Sequence, residues 1–152
     1  MTDASDGPNI VTLGEGLVVR QAVDNIAWID LGGAGVIIDA LEHAHLAEEI
    51  VAAVSATLGD TPVRWVINTH THYDHTALNE AFRRRWGAAV INRGNADFDE
   101  HGEMRLTGDR RSLVMKPIDS GHSADDCIVW LPDDGGLFTG DVFGWGMIPI
   151  VG

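Results

Sequence analysis

Thr69-His70-Thr71-His72-Tyr73-Asp74-His75 sets three imidazoles and one carboxylate within six consecutive positions, directly after the apolar run Val63-Arg64-Trp65-Val66-Ile67. Imidazole nitrogen and carboxylate oxygen are the ligands that zinc, iron and manganese accept, and a cluster of them gains most with a cation in its midst. The spacing also constrains the backbone. On a helix His70 and His72 would point to nearly opposite sides, whereas in an extended segment residues two apart share a face and can grip one ion. The motif is therefore expected on the turn that follows a strand, with Val63–Ile67 as that strand. Residues 76–86 read as a helix, with Leu78, Phe82 and Trp86 at matching spacing. Asp74 and His75 are adjacent and cannot share a direction with the first pair, so they are expected to serve a second ion a few ångströms away.

Two later stretches add donors. Asp119-Ser120-Gly121-His122-Ser123 places a histidine in a small-residue loop before the apolar strand Cys127-Ile128-Val129-Trp130-Leu131, and Gly121 allows the backbone a sharp turn there. His122 is the expected third ligand of the first ion. After a turn at Pro132-Asp133-Asp134-Gly135-Gly136, a short strand Leu137-Phe138-Thr139 runs into Gly140-Asp141. A carboxylate has two oxygens and can bridge two metals, which suits Asp141.

Taken together, residues 69–75, Gly121-His122-Ser123 and Thr139-Gly140-Asp141 resemble the metallo-β-lactamase fold superfamily, and the likeness spans most of the chain. The earlier runs Ile26-Ala27-Trp28-Ile29-Asp30 and Val36-Ile37-Ile38-Asp39-Ala40 are similar to the family's opening hairpin, whose second strand ends in an aspartate near the metals. The resemblance implies an α/β protein built as the αββα sandwich. It implies His70, His72 and His122 on one metal, Asp74 and His75 on the other, Asp141 between them, and Asp39 behind the ligands. One or two Zn2+ ions are expected, with Fe or Mn open to the same donors. Family members continue past the bridging aspartate to a last histidine, but no histidine follows His122 and the sequence stops at Gly152. The sandwich is therefore expected to be incomplete at the C-terminus, with a second ion held by Asp74, His75 and Asp141 plus water or an outside group. Ala77-Leu78-Asn79 stands where many relatives carry glycine, a departure expected to cost only local repacking.

A cation held by three neutral imidazoles keeps an open position and lowers the pKa of its bound water to about 7, making hydroxide the expected nucleophile. Asp74 is the expected catalytic carboxylate, orienting the water and accepting its proton as an ester, thioester or amide is attacked. A metal-dependent hydrolase of a small-molecule substrate follows. Asp141 occupies the place where one class of true β-lactamases has a cysteine ligand, so the resemblance points instead to hydrolysis like that of glyoxalase II. Two other readings stay open. Two histidines, a carboxylate and open positions also suit a non-haem iron oxygenase or redox protein, and a truncated relative could bind metal without turnover.

At 152 residues and 45% hydrophobic content the chain is long enough for one domain with its own core, spanning residues 1–152 with a flexible start over 1–8. Its net charge of −13 opposes any long phosphate backbone, so nucleic acid is not an expected partner. Arg83-Arg84-Arg85 then reads as a solvated helix face. No apolar stretch is long enough to span a bilayer and no charged-then-apolar leader is present, so no membrane partner and a cytoplasmic location are expected. Cys127 reads as a small buried hydrophobe. Residues 142–152 carry no charge beyond the chain end and want a cover: the rest of a domain, a neighbouring subunit of a homo-oligomer, or a hydrophobic substrate, unless they pack back as one more strand.

The remaining pattern predicts strands at 10–13, Leu17–Gln21, 26–31 and 36–40 as a meander. A helix is predicted over 42–58 with Leu46, Ile50, Val54 and Leu58 inward, followed by alternating strands and helices. His43 and His45 read as exposed, His101 as a surface-loop residue, and Tyr73 and Lys116 as structural.

Overall fold

The computed structural model describes residues 8–144. Residues 1–7 of the expected flexible start and 145–152 of the charge-free run lie outside them. β1 (Asn9–Gly14), β2 (Leu17–Gln21), β3 (Ile26–Asp30) and β4 (Gly35–Ile38) form the expected antiparallel meander. Helix α1 (Ala47–Leu58) then crosses one face, and β5 (Val63–Ile67) joins β4 in parallel. Helix α2 (Asn79–Trp86) crosses the same face before β6 (Ala89–Ile91) pairs with β5, completing a six-stranded sheet in chain order.

Past α2 the structure departs from the expected alternation of strands and helices. Among the described residues only strands and one 3-10 turn, Gly140–Val142, follow. β7 (Met104–Thr107), β8 (Ser112–Pro117), β9 (Cys127–Leu131) and β10 (Gly136–Phe138) build a second, antiparallel sheet ordered β10-β9-β8-β7. β9 and β10 are the strands expected at 127–131 and, shifted by one residue, at 137–139, whereas β7 and β8, four and six residues long, are too short for hydrophobic period alone to separate strand from helix. The first helix also begins later than predicted, at Ala47 behind a 3-10 turn over Ala44–Leu46. The residues between β4 and that turn serve the neighbouring segment instead. Asp39 and Leu41 adopt positive φ, and the backbone of Ala40 and Leu41 docks against residues 75–78.

Two cores follow from this layering. Trp28, Ile37, Ile50, Val54, Leu78 and Phe82 pack between the helices and the six-stranded sheet, while Ile29, Val36, Ile67, Leu113, Met115 and Val129 pack between the two sheets. β4 is buried at every position and β3 at all but Asp30, which is why both read as continuous apolar runs rather than alternating ones. Each fully buried side chain of this size stabilises the fold by about 1.5–3 kcal/mol relative to exposure. Helices, six-stranded sheet and four-stranded sheet supply three layers of the αββα arrangement. The outer face of the second sheet shows Trp130 and Leu137, cross-strand partners that are 44% and 56% exposed. No helix covers that face among the described residues.

The layering positions one edge. β4 and β5 run parallel, so their carboxyl ends emerge side by side, and the start of β9 is tied to the same place by Cys127 N–H donating to Thr69 O at 2.7 Å.

Candidate metal centre

Beyond Ile67 the chain leaves the sheet, and buried Asn68 fixes how. Its amide donates to the His75 carbonyl at 2.8 Å and to Asn79 Oδ1 at 3.1 Å, and accepts from Asn79 Nδ2 at 2.8 Å. Ala40 N–H donates to the same His75 carbonyl at 2.9 Å, while Ala77 and Leu78 donate to Leu41 and Ala40. The end of β4 and the start of α2 thereby clamp a 3-10 turn over Tyr73–His75 between them.

That clamp aims the side chains. His70 is fully buried, and its Nε2 lies 3.1 Å from Nδ1 of His72; the same His72 nitrogen lies 3.1 Å from Nε2 of His122. One ring nitrogen carries either a proton or a lone pair and makes one good hydrogen bond, not two. A cation resolves the conflict, and the separations fit it: with 2.0–2.1 Å bonds the edge of a zinc tetrahedron is about 3.3 Å. His70, His72 and His122 offer donor atoms that all lie within 4.8 Å of one another.

A second group of donors within the same limit is His70, His75 and Asp141. Oδ1 of Asp141 lies 3.2 Å from His75 Nε2, and its Oδ2 lies 3.6 Å from His122 Nε2 and 3.9 Å from His70 Nε2. The carboxylate thus turns one oxygen to each group. Gly140 makes this approach feasible: at φ +51° it presses on Thr69, and an added Cβ would run into Thr69 Oγ1 and stand 2.8 Å from Thr69 Cβ. Asp74, expected beside His75, is found with Oδ2 3.8 Å from His75 Nε2. It lies farther from that ring than Asp141 does, and outside both three-residue groups.

Behind the ring of His75 sits Asp39, buried and at φ +63°. Its carboxylate accepts Thr69 N–H at 2.7 Å and Thr69 Oγ1–H at 2.9 Å. Asp39 Oδ2 also lies 2.9 Å from His75 Nδ1, a contact that favours a protonated ring. Burial works against a charge on His75, but Asp141 and Asp39 outweigh it and raise the imidazole to about 10 in the metal-free protein. Burial and then the positive His75 push His70 down, and His75 holds Asp141 below the usual carboxylate range.

The loop that carries His122 departs from expectation in detail. The positive φ belongs to Ser120, at 59°, while Gly121 serves by lacking a side chain: a Cβ there would collide with the Asp126 carboxylate and lie 3.3 Å from Val142 Cγ2. Sequence reasoning misses Asn68, Asp125 and Asp126 altogether. A signal existed for Asn68, a lone polar residue ending an apolar strand, and for the Asp-Asp doublet just before β9. The residues not expected among the ligands lie outside both donor groups: His43, His45, His101 and Arg83 to Arg85 are exposed, and Lys116 pairs with Glu103 at 2.8 Å. Tyr73 is 70% exposed between His72 and Asp74.

Fold and site together define a two-sheet protein with donors able to hold a metal ion gathered at the strand ends. The family follows from comparison, since residues 22–114 match the model of the metallo-beta-lactamase superfamily, and the chain belongs to that family. Among curated proteins it is similar to the hydroxyacylglutathione hydrolase of Anaeromyxobacter dehalogenans, 29% identical over 133 residues, covering 83% of this chain and 49% of that protein. The same enzyme of Rhodospirillum rubrum is 34% identical over 108 residues, covering 63% and 39%. The chain thus spans about half the length of the first of these relatives and less of the second. Among solved structures, the metallo-beta-lactamase FIM-1 of Pseudomonas aeruginosa in its mono-zinc form superposes with a TM-score of 0.69 at 19% identity, covering 86% of this chain and 67% of that one. A metallo-beta-lactamase from Pontibacter korlensis gives 0.68 at 18% identity, covering 84% and 68%. At such identities these two speak for the fold alone.

Proposed function

We propose that the chain is a metal-dependent hydrolase, with zinc as its ion, acting on a small-molecule ester, thioester or amide, and that a thioester is its best substrate. The observation that carries this reading is the convergence of His70, His72 and His122 ring nitrogens at 3.1 Å contacts. Kinship to hydroxyacylglutathione hydrolases supports the thioester. In this reading His70, His72 and His122 would hold a first cation, and His75 and Asp141 would serve a second. A bound divalent cation would polarise the carbonyl and bring a water ligand to a pKa of about 7. Asp74, 34% exposed and 3.8 Å from His75, is then the group placed to orient that water and take its proton. Asp39 keeps the His75 ring in its orientation, as carboxylates behind metal-ligating histidines do. Exposed Tyr73 stands beside these groups, between His72 and Asp74.

No helix among the described residues is long and apolar enough to cross a membrane. A single unpaired and buried cysteine fits a reducing compartment, and we place the protein in the cytoplasm.

Protein purified without chelator and submitted to elemental analysis tests the proposal. One or two zinc ions per chain are expected, with thioester hydrolysis lost on chelation and regained with zinc. Iron in place of zinc, with oxygen consumed in the presence of a thiol, would overturn it in favour of an oxygenase on this fold. Metal without any hydrolysis would leave a binding protein.

A further inference from the structure

The loop 119–126 and the turn 69–75 each contribute donors to the same triad, yet they come from different sheets. Their backbones meet where Cys127 N–H donates to Thr69 O at 2.7 Å. Above that tie, apart from the contacts of His122 itself, a side-chain bond joins them: Thr71 Oγ1–H donates to Asp125 Oδ2 at 2.6 Å. Thr71 stands between His70 and His72 with its side chain exposed, so packing does not require a threonine there. Asp125 is itself braced from within the loop. Its backbone N–H donates to Ser123 Oγ at 3.3 Å, and Ser123 is anchored in turn by buried Asp126, which accepts its single hydroxyl proton at 2.6 Å and its backbone N–H at 2.7 Å. The rigid unit Ser123-Asp125-Asp126 follows His122 directly.

We propose that Asp125 is a positioning residue: through Thr71 it locks the His122 loop onto the His70–His72 segment and so sets the span across which one cation must be held. The inference rests on the metal reading above. It assigns a role to two residues outside both groups of donors. A shallow hydroxyl–carboxylate bond at the surface contributes little to global stability, whereas a ligand that drifts by a fraction of an ångström loses coordination geometry. The effect should therefore appear in metal affinity and not in the fold.

The test is zinc titration of the metal-free full chain against a chromophoric chelator, for wild type, Thr71→Val, Asp125→Ala, the double variant and Thr71→Ser. Thr71→Val and Asp125→Ala are each expected to weaken the first zinc by about tenfold, as loss of supporting contacts around ligands does. The double variant should be no weaker than either single one, and Thr71→Ser should stay within about threefold of wild type because it keeps the hydroxyl. Cobalt substituted for zinc should show an altered visible band in the two weakened variants, while metal-free melting temperatures stay together. Affinities unchanged in both single variants, additive losses, or a serine variant as weak as the valine one would overturn the proposal. Wild-type protein that takes up no zinc would instead sink the metal reading. Should Asp125→Ala fail to fold, Thr71→Val decides, since it removes the same bond and leaves Ser123 and Asp126 untouched.

Discussion

The two groups of donors share His70 and differ in nearly everything that governs how a cation is held. The first is three imidazoles with exposed His72 and half-buried His122 at its rim. In the metal-free protein Nδ1 of His72 faces two imidazole nitrogens and can bond well to only one of them. The second is buried His75 between the carboxylates Asp39 and Asp141, which stabilise a proton on that ring. The first group brings three ring nitrogens together; the second favours a proton on His75 in the metal-free protein. A second ion must therefore displace a proton, and a third protein donor beyond His75 and Asp141 comes either from His70, which the first ion also needs, or from the more distant Asp74.

The largest effect should come from breaking the first group. His122→Ala removes one of the three imidazoles of the first group, and kcat/KM on a thioester is expected to fall by roughly a thousandfold or more, since water would no longer be activated at neutral pH. Steady-state kinetics with metal analysis on the same preparation checks it, and a loss under about tenfold would show that the first triad does not carry the reaction. His75→Ala sharpens the contrast. Metal content is expected to drop by the second ion while the first binds within about threefold of wild type, because His75 is not among the nitrogens of the first triad. Loss of both ions together would show one cooperative centre in place of two.

What the sequence alone makes legible follows the same division. His70 and His72 pair because two-residue spacing in extended backbone fixes their common face, and His122 and Asp141 stand out because each adjoins a readable strand or turn. The partition of the second group could not be read. Asp74 and His75 are neighbours in a 3-10 turn whose orientation depends on Asn68, Asn79 and the β4 end, all tertiary contacts. Asp141 comes closer to His75 than Asp74 does only because Gly140 can lie against Thr69, a meeting of residues seventy-one positions apart in the chain. In the fold, the meander and β5 declared themselves through burial on one or both faces. β7 and β8 did not, because short runs such as Met-Arg-Leu-Thr fit either period.

Asp39 tests whether the second group is held from behind. Asp39→Ala leaves the Thr69 N–H and hydroxyl without their acceptor in a buried place and puts alanine at φ +63°. Denaturation of the metal-free protein should show a loss of about 2–3 kcal/mol. Asp39→Asn keeps an acceptor and suits the left-handed backbone, so about 1 kcal/mol is expected. Equal losses in the two variants would mean that the charge facing His75, and not the bonds to Thr69, supplies the stabilisation.

The smallest effect concerns Cys127, whose backbone ties the two sheets beneath both groups. Its side chain is fully buried, and burial pushes the thiol up to about 11. Labelling by iodoacetamide at pH 8 should therefore run at least about a hundredfold slower in native than in unfolded protein, since only the thiolate reacts and the buried side chain is out of the reagent's reach. Above pH 9 the unfolded chain releases this proton while the folded one retains it, so stability declines as pH rises from about 9 to about 11 and then levels. Cys127→Ala should remove the decline at the expense of a small cavity. Native labelling as fast as that of the unfolded chain would mean that the floor of the site opens to solvent, and that the sheet-to-sheet tie beneath the ligands is looser than the bond from Cys127 to Thr69 implies.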